Sequence, residues 1–375
     1  MQTPVEVFMS LLAPTNPVAG SQFRQPSLSV LLNGSVALPA YSAEITNASH
    51  FTSDTFRVEC SLTAMPQGYG ASYWADSVND QVQVSIGSGI GTSAPTLLGQ
   101  VDDAEIDQIR QIVTLTGRDL SALFIDAKTT EKFQNQTSSQ IAATLAARHG
   151  LQANIAQTKT KVGTYYAVDQ VNLTREESEW DLLIFLAQHE GYDLWVSGNT
   201  LNFQPALDLD TVAPFQMVYS EPSQGGIGQY ANFTDMKMKR SQTLARDVIV
   251  IVRSWNQLQE KAFEVTYKRT QANKGQRAGG QAQTYSFTVP NLTQQAALNY
   301  AMQKAEQITR MERVITTEMA GDDTLTIRTP IQLTGTGTSF DQKYYPDTIT
   351  RKVSFEQSRM TVRAKNHSTQ STTIL

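Results

Sequence analysis

The chain has 375 residues, 40% of them hydrophobic, enough for two or three domains with real cores and too many for a disordered protein. Only 17% are charged and the formal net charge is -5, which argues against a dedicated nucleic-acid binder, whose phosphate contacts need a basic surface. The polar surface is instead rich in Thr, Gln, Asn and Ser, a texture that suits a β-rich protein whose perimeter meets other subunits.

Residues 1–25 carry Pro4, Pro14 and Pro17 and read as an arm. From 26 to 117 the dominant period is two. Residues 28–32, 55–62, 82–86, 97–101 and 109–115 read as strands between Gly-, Pro- and Asn-containing turns, and a closed barrel is the natural way to remove their edges. Cys60 is the only cysteine, so an intrachain disulfide and a cysteine-rich zinc site are excluded. It alternates with Phe56, Val58 and Leu62, which predicts a buried small side chain.

The texture changes after Gly117. Residues 118–206 read as a small α/β module. Thr137 and Gln140 open a capped helix with Ile141 and Leu145 inward and Gly150 beyond its end, and 151–170 reads as a polar loop. The most legible unit is 174–205. Thr174 and Glu177 stand at capping-box spacing, Trp180, Leu183, Ile184 and Ala187 recur on one helix face, and Gly191 supplies a left-handed stop. Strands 193–196 and 201–203 then flank a turn at Ser197-Gly198-Asn199. Trp180, Leu183 and Gly191 are the structural residues this pattern singles out.

Residues 207–355 return to strands. The β-branched run 248–252 reads as a buried strand, 261–267 as pairing with 284–289 across a Gly- and Gln-rich loop at 271–280, and 291–310 as a helix with an Ala297, Ala301, Ala305 and Ile308 stripe. Hairpins are expected around Gly321-Asp322-Asp323 and across 349–362. Residues 356–375 form a final strand and tail.

Chemistry is thin. The GSGIG at 87–91 lacks the lysine and helix of a phosphate loop, and no HExxH, GxSxG or paired-histidine spacing occurs. His189-Glu190 alone defines no site. No catalytic, cofactor-binding or metal residue is assigned. Asp102, Asp103, Glu105 and Asp107 form an acidic run that reads as a solvated strand edge or turn, or else as the wall of a channel that repels DNA phosphate. Lys237, Lys239 and Arg240 form a basic patch on an alternating segment, suited to contact with an acidic neighbour. Two rivals are a peptidoglycan-degrading enzyme using Glu59, Glu105, Glu177 or Glu190, and a carbohydrate-binding or adaptor module with Trp74, Tyr192 and Trp195 on a platform. No apolar run spans a bilayer and no signal peptide opens the chain, so assembly in the cytoplasm is expected.

Three stretches carry a family resemblance. Residues 117–124 (GRDLSALF), the helix–hairpin at 177–203 and the ending at 335–366 resemble, in that order, parts of phage contractile-tail baseplate hub proteins of the late-control D type. The resemblance implies an α+β, mainly β chain: two tube-like β-barrel domains at 26–117 and 207–355, with the α/β module inserted between them. It further implies a homotrimer whose six barrels form a pseudo-sixfold ring in the virion tail baseplate, assembled in the bacterial host. Implied partners are the tail tube or a tube-initiator protein, a trimeric spike protein and baseplate wedge proteins, with DNA or tape-measure protein passing through the ring.

Overall fold

The computed structural model describes residues 26–49, 51–89, 96–129, 133, 135–159, 161–162, 177–220, 230–241, 248–256, 261–269, 282–289, 292, 294–309 and 313–366. The N-terminal arm, the end of the chain, the 271–280 loop and the cap expected at Thr174 lie outside these residues.

The first barrel is built from β1 (Ser27–Leu32), β2 (Val36–Ala37), β3 (Ala40–Ala48), β4 (Thr55–Ser61), the short helix α1 (Ala71–Asp76), β5 (Gln81–Gly87), β6 (Thr96–Asp107) and β7 (Ile112–Asp119). Its strand order is β3-β4-β7-β6-β5-β1-β2. Alternation decides the faces: Phe56, Val58 and Cys60 enter the core beside Val113, Leu115, Val82 and Val84, while Arg57, Glu59, Thr114 and Thr116 face away. Burial pushes the Cys60 thiol up to about 12, as expected for an inert core cysteine. The sequence reading ended a strand at 101 and began another at 109. In the structure β6 runs through the acidic residues to Asp107, and Ile109 lies in the turn, almost wholly exposed. β3, whose polar alternation hid it, was not anticipated.

The module contains α2 (Ala122–Asp126), β8 (Lys128–Thr129), β9 (Gln136–Thr137), α3 (Ser138–Arg148), β10 (Gln152–Ile155), β11 (Lys161–Val162), β12 (Glu177–Ser178), α4 (Glu179–Glu190), β13 (Tyr192–Ser197) and β14 (Thr200–Pro205). Thr137 and Gln140 form the expected capping box. For α4 the cap is Ser178, whose hydroxyl accepts from the Asp181 amide, because Glu177–Ser178 is held straight by pairing with Lys128–Thr129. Gly191 closes the helix at φ 68°, ψ 37°. Residues 152–155 are a strand, parallel to β14, where a loop was expected; the ladder supplies the pairing that their polar side chains do not advertise.

Trp180, Leu183, Leu186 and Ala187 are buried against Ile141, Leu145, Leu201 and Phe203. Trp180→Ala or Leu183→Ala should each cost about 2–5 kcal/mol in chemical unfolding. Wild-type stability in both variants would show that the helix packs by another face.

The second barrel comprises β15 (Phe215–Ser220), β16 (Tyr230–Ala231), β17 (Asp235–Arg240), then β18 (Val248–Asn256), β19 (Lys261–Arg269), β20 (Gln283–Thr288) and α5 (Gln294–Thr309) as a unit of their own, followed by β21 (Arg313–Ala320), β22 (Ile331–Thr334), β23 (Lys343–Ser354) and β24 (Ser358–Lys365). The barrel strands run β15-β22-β23-β24-β21-β17 around Phe215, Met217, Ile315, Met319, Leu333, Ile349 and Val362. Two pairings differ from the sequence reading. β18 lies between β19 and β20, so those two do not pair with each other; its Val248, Val250 and Val252 face the Ala297, Ala301 and Ala305 stripe of α5. β21 makes no hairpin at Gly321 and pairs instead with β17 and β24, because Asp322 and Asp323 turn inward to the junction between barrels.

Candidate assembly site: a shared wall and two open edges

β3 of the first barrel pairs antiparallel with β23 of the second, from Ser42↔Ser354 to Ala48↔Thr348. One continuous antiparallel wall results, in the order β6-β7-β4-β3-β23-β24-β21-β17. One face of this wall covers the two cores. The other carries Asp103, Glu105, Thr114, Thr116, Arg57, Glu59, Glu44, Thr46, Thr350, Lys352, Arg359, Thr361, Glu318, Asp235, Lys237 and Lys239. Both signs of charge are present and partly paired on it: Glu44 lies 3.8 Å from Lys352, Glu59 lies 3.2 Å from Arg57, and Glu318 pairs with Arg359.

The two halves of the wall repeat one device. β6 and β23 are both 12-residue strands, each followed by an 8-residue partner, β7 or β24. Each long strand has a bulge, and the unpaired residue is an aspartate both times, Asp102 and Asp347. Each aspartate is held by a base from the partner strand. Arg118 donates to Asp102 at 2.7 and 2.8 Å, and Lys365 donates to Asp347 at 2.6 Å.

The acidic run therefore divides by role. Asp102 anchors its bulge, Asp107 accepts from the Ile109 and Arg110 amides in the β6–β7 turn, and Asp103 and Glu105 stand exposed on the wall face. Lys237 and Lys239 stand exposed on the same face at the far end of the wall, with Arg240 at the end of β17. Sequence reasoning did not find Asp347 and Lys365. A bulge has no residue signature, and only the matched strand lengths point to it.

The barrel junction is polar. Arg351, 4% exposed, donates to Asn47 Oδ1 at 2.8 Å and to the Leu325 carbonyl at 2.5 Å. Asn47 donates to Asp54 at 2.7 Å, and Asp323 accepts from the Ser88 amide at 3.0 and 3.2 Å across the two barrels. The module is tied to both. Trp180 Nε1 donates to the Phe51 carbonyl at 2.7 Å, while Arg328 lies 3.4 Å over the Trp195 ring and 3.4 Å from Asp193. A cleft of about 350 Å³ lies between these contacts, lined by Phe51, Asp54, Asp119, Trp195 and Arg328 among others.

Burial, reinforced by nearby Asp54, pushes Asp119 up to about 7, against hydrogen bonds from Ser121 that favour its ionised form. The folded protein thus holds a proton that the unfolded chain releases near pH 4. Stability is gained as pH falls through 7, and the cost of ionising Asp119 is present above it. The melting temperature should rise between pH 8 and pH 6. Asp119→Asn should remove that slope and be more stable than wild type at pH 8, by about 1–3 kcal/mol. An unchanged slope in the variant would assign the effect to another group.

Among the described residues, the carboxylates of the enzyme reading do not converge. Glu59 lies on the wall beside Arg57, Glu105 lies at its open end, and Glu190 accepts from Ser138 in the module. The side chains of Glu177 and His189 lie outside the described set. The aromatic platform is corrected: Trp74 is buried in the first barrel core, and Trp195 is in the module beneath Arg328, so the two cannot share a surface. Among the described residues no group of three or more His, Cys, Asp or Glu side chains is placed to hold a metal, and no helix is long and apolar enough to cross a membrane.

Solved phage tail proteins share this fold. A tail protein of Neisseria meningitidis matches at a TM-score of 0.67 and 14% identity, over 92% of this chain and 98% of its own. The 43 kDa tail protein of prophage MuSo2 from Shewanella oneidensis matches at 0.64 and 14%, over 91% and 98%. An E. coli component of the type VI secretion system, described as structurally similar to the T4 tail proteins gp27 and gp5, matches at 0.52 and 10%, over 91% and 77%. No protein-family model and no curated protein matches the sequence, so the likeness resides in the fold.

Proposed function

We propose that this chain is the structural baseplate hub of a phage or phage-like contractile tail, acting as a trimer. The observation that carries the reading is the wall. It holds an even number of alternating strands and is built from two copies of one device, so one chain presents two quasi-equivalent sectors of a ring. Three chains supply six such sectors, matching a sixfold tail tube on one side and a threefold spike on the other. The polar face of the wall would line the conduit, with Asp103 and Glu105 in the lumen among bases of both barrels. DNA or tape-measure protein would pass along it without tight binding, since a mixed, hydrated lining offers no continuous basic track. The modules, docked beside the barrel junction through Trp180 and Trp195, are the parts suited to meet wedge proteins.

The role is mechanical, without catalysis or cofactor, located in the virion tail baseplate. Its test is the number of copies in purified particles. Three per particle, or a multiple tied to threefold symmetry, is expected. One copy per particle would overturn the hub.

A further inference from the structure

We infer that the small unit carrying α5 binds a neutral saccharide: a pyranose ring stacks on Trp255 while its hydroxyls bond to Arg253, Glu264 and Thr288. The strand registers bring these residues together. β18 turns Val248, Val250 and Val252 toward α5, so Ile249, Ile251, Arg253 and Trp255 share the opposite face. On that face Ala262 of β19 stands opposite Trp255, and Glu264 stands opposite Arg253. Thr288 of β20 flanks Arg253 from the other side. Trp255 is 54% exposed, whereas Trp74 and Trp180 are buried and Trp195 lies beneath Arg328. Because the cross-strand neighbour of Trp255 is an alanine, space is left beside the indole. A groove of about 470 Å³ lies there, lined by Arg253, Trp255, Ala262, Glu264 and Thr288 among others.

The chemistry of the groove selects the ligand. A sugar ring has an apolar face of C–H bonds and a rim of hydroxyls, each of them both donor and acceptor. The exposed indole offers a flat apolar surface to the first. Arg253 supplies donors and Glu264 supplies acceptors. The 2.7 Å bond from Arg253 Nε to Glu264 Oε2 holds the two side by side, where one hydroxyl can bridge them. The pair is neutral, which suits an uncharged ligand and gives phosphate no basic track. A protein partner fits less well. The rest of the face carries Thr266, Lys268, Thr284 and Ser286, all exposed and polar, and the apolar Ile249 and Ile251 are already half-buried among them. Glu264 is the only carboxylate among the described residues lining the groove, so the site has no acid pair with which to cleave a glycosidic bond. The inference goes beyond the hub reading and does not depend on it.

The test uses the full chain with two neutral trisaccharides, maltotriose and the trimer of N-acetylglucosamine. Binding is read by NMR saturation transfer from protein to sugar protons, and its position by tryptophan emission, since Trp255 is the exposed member of the four tryptophans. At least one probe should bind with a Kd on the order of 1 mM, a weak affinity suited to few contacts, and should change the emission over the same concentration range. Trp255→Ala should weaken saturation transfer at least about tenfold. Ala262→Leu, which fills the floor of the groove and keeps the indole, should do the same. Both side chains are exposed, so both variants should melt with the wild type. Binding that persists in Trp255→Ala, or that leaves wild-type emission unaltered, overturns the site. No binding of either trisaccharide overturns it as well; if Trp255→Ala chains are then lost from otherwise assembled particles, the face is a protein contact instead. Copy number in the particle is a separate measurement, so the sugar site and the hub fail independently.

Discussion

Arg351→Ala should destabilise the protein by about 3–5 kcal/mol, because it removes one partner from a buried charged junction and leaves the other members behind. The guanidinium donates to Asn47 of β3 and to the Leu325 carbonyl, and it sits in the field of Asp323, Asp322 and Asp54, whose charges oppose the loss of its proton on burial. Asp322 is fully buried, with Oδ1 bonded to the Thr324 amide and hydroxyl. Without Arg351 these carboxylates lose their compensating charge at the point where the two barrels meet. Urea unfolding should show a lower midpoint, and the two barrels should cease to melt together if the junction provides their coupling. A loss below about 1 kcal/mol would mean that water reaches the junction and that pairing of β3 with β23 alone couples the barrels.

Gly117→Ala should be nearly as damaging, at about 2–4 kcal/mol. A Cβ at this position would lie 2.0 Å from the Gln100 carbonyl and 2.7 Å from the Phe56 ring. The neighbouring Gly99 is equally confined, with the Arg118 carbonyl at 2.4 Å and Phe56 at 2.8 Å. The two glycines together make room for the Phe56 ring beneath the bulged part of β6. Adding Phe56→Leu should therefore relieve only part of the loss, since the Gln100 carbonyl is backbone and cannot rotate away. Full recovery would show that the ring alone is the obstacle.

Much of this molecule is legible in its sequence where a local rule acts alone. The Thr137 capping box, the Gly191 stop, the Trp180 and Leu183 face and the β-branched Val248 run each depend on neighbours within a few residues. Legibility fails where partners are distant. β3 is a strand because β4 and β23 flank it, although its own residues alternate weakly. Asp322 and Asp323 look like hairpin-turn residues; Asp322 is instead buried, and Asp323 accepts from the Ser88 amide across the barrel junction. The acidic and basic segments were visible as charge, but their relation required the sheet order, which puts them at opposite ends of one wall. Residues 117–124 carried a family resemblance whose physical content is the close approach at Gly117 and the turn of the chain from β7 into the module.

The central claim is that three chains make one closed ring from their shared walls. Electron cryo-microscopy of the native particle measures this directly. The account predicts threefold density at the junction of tube and spike, with three copies of the eight-strand wall around one lumen and their polar faces turned toward it. A map placing the chain on the baseplate periphery, or showing walls that face outward from the lumen, would contradict it.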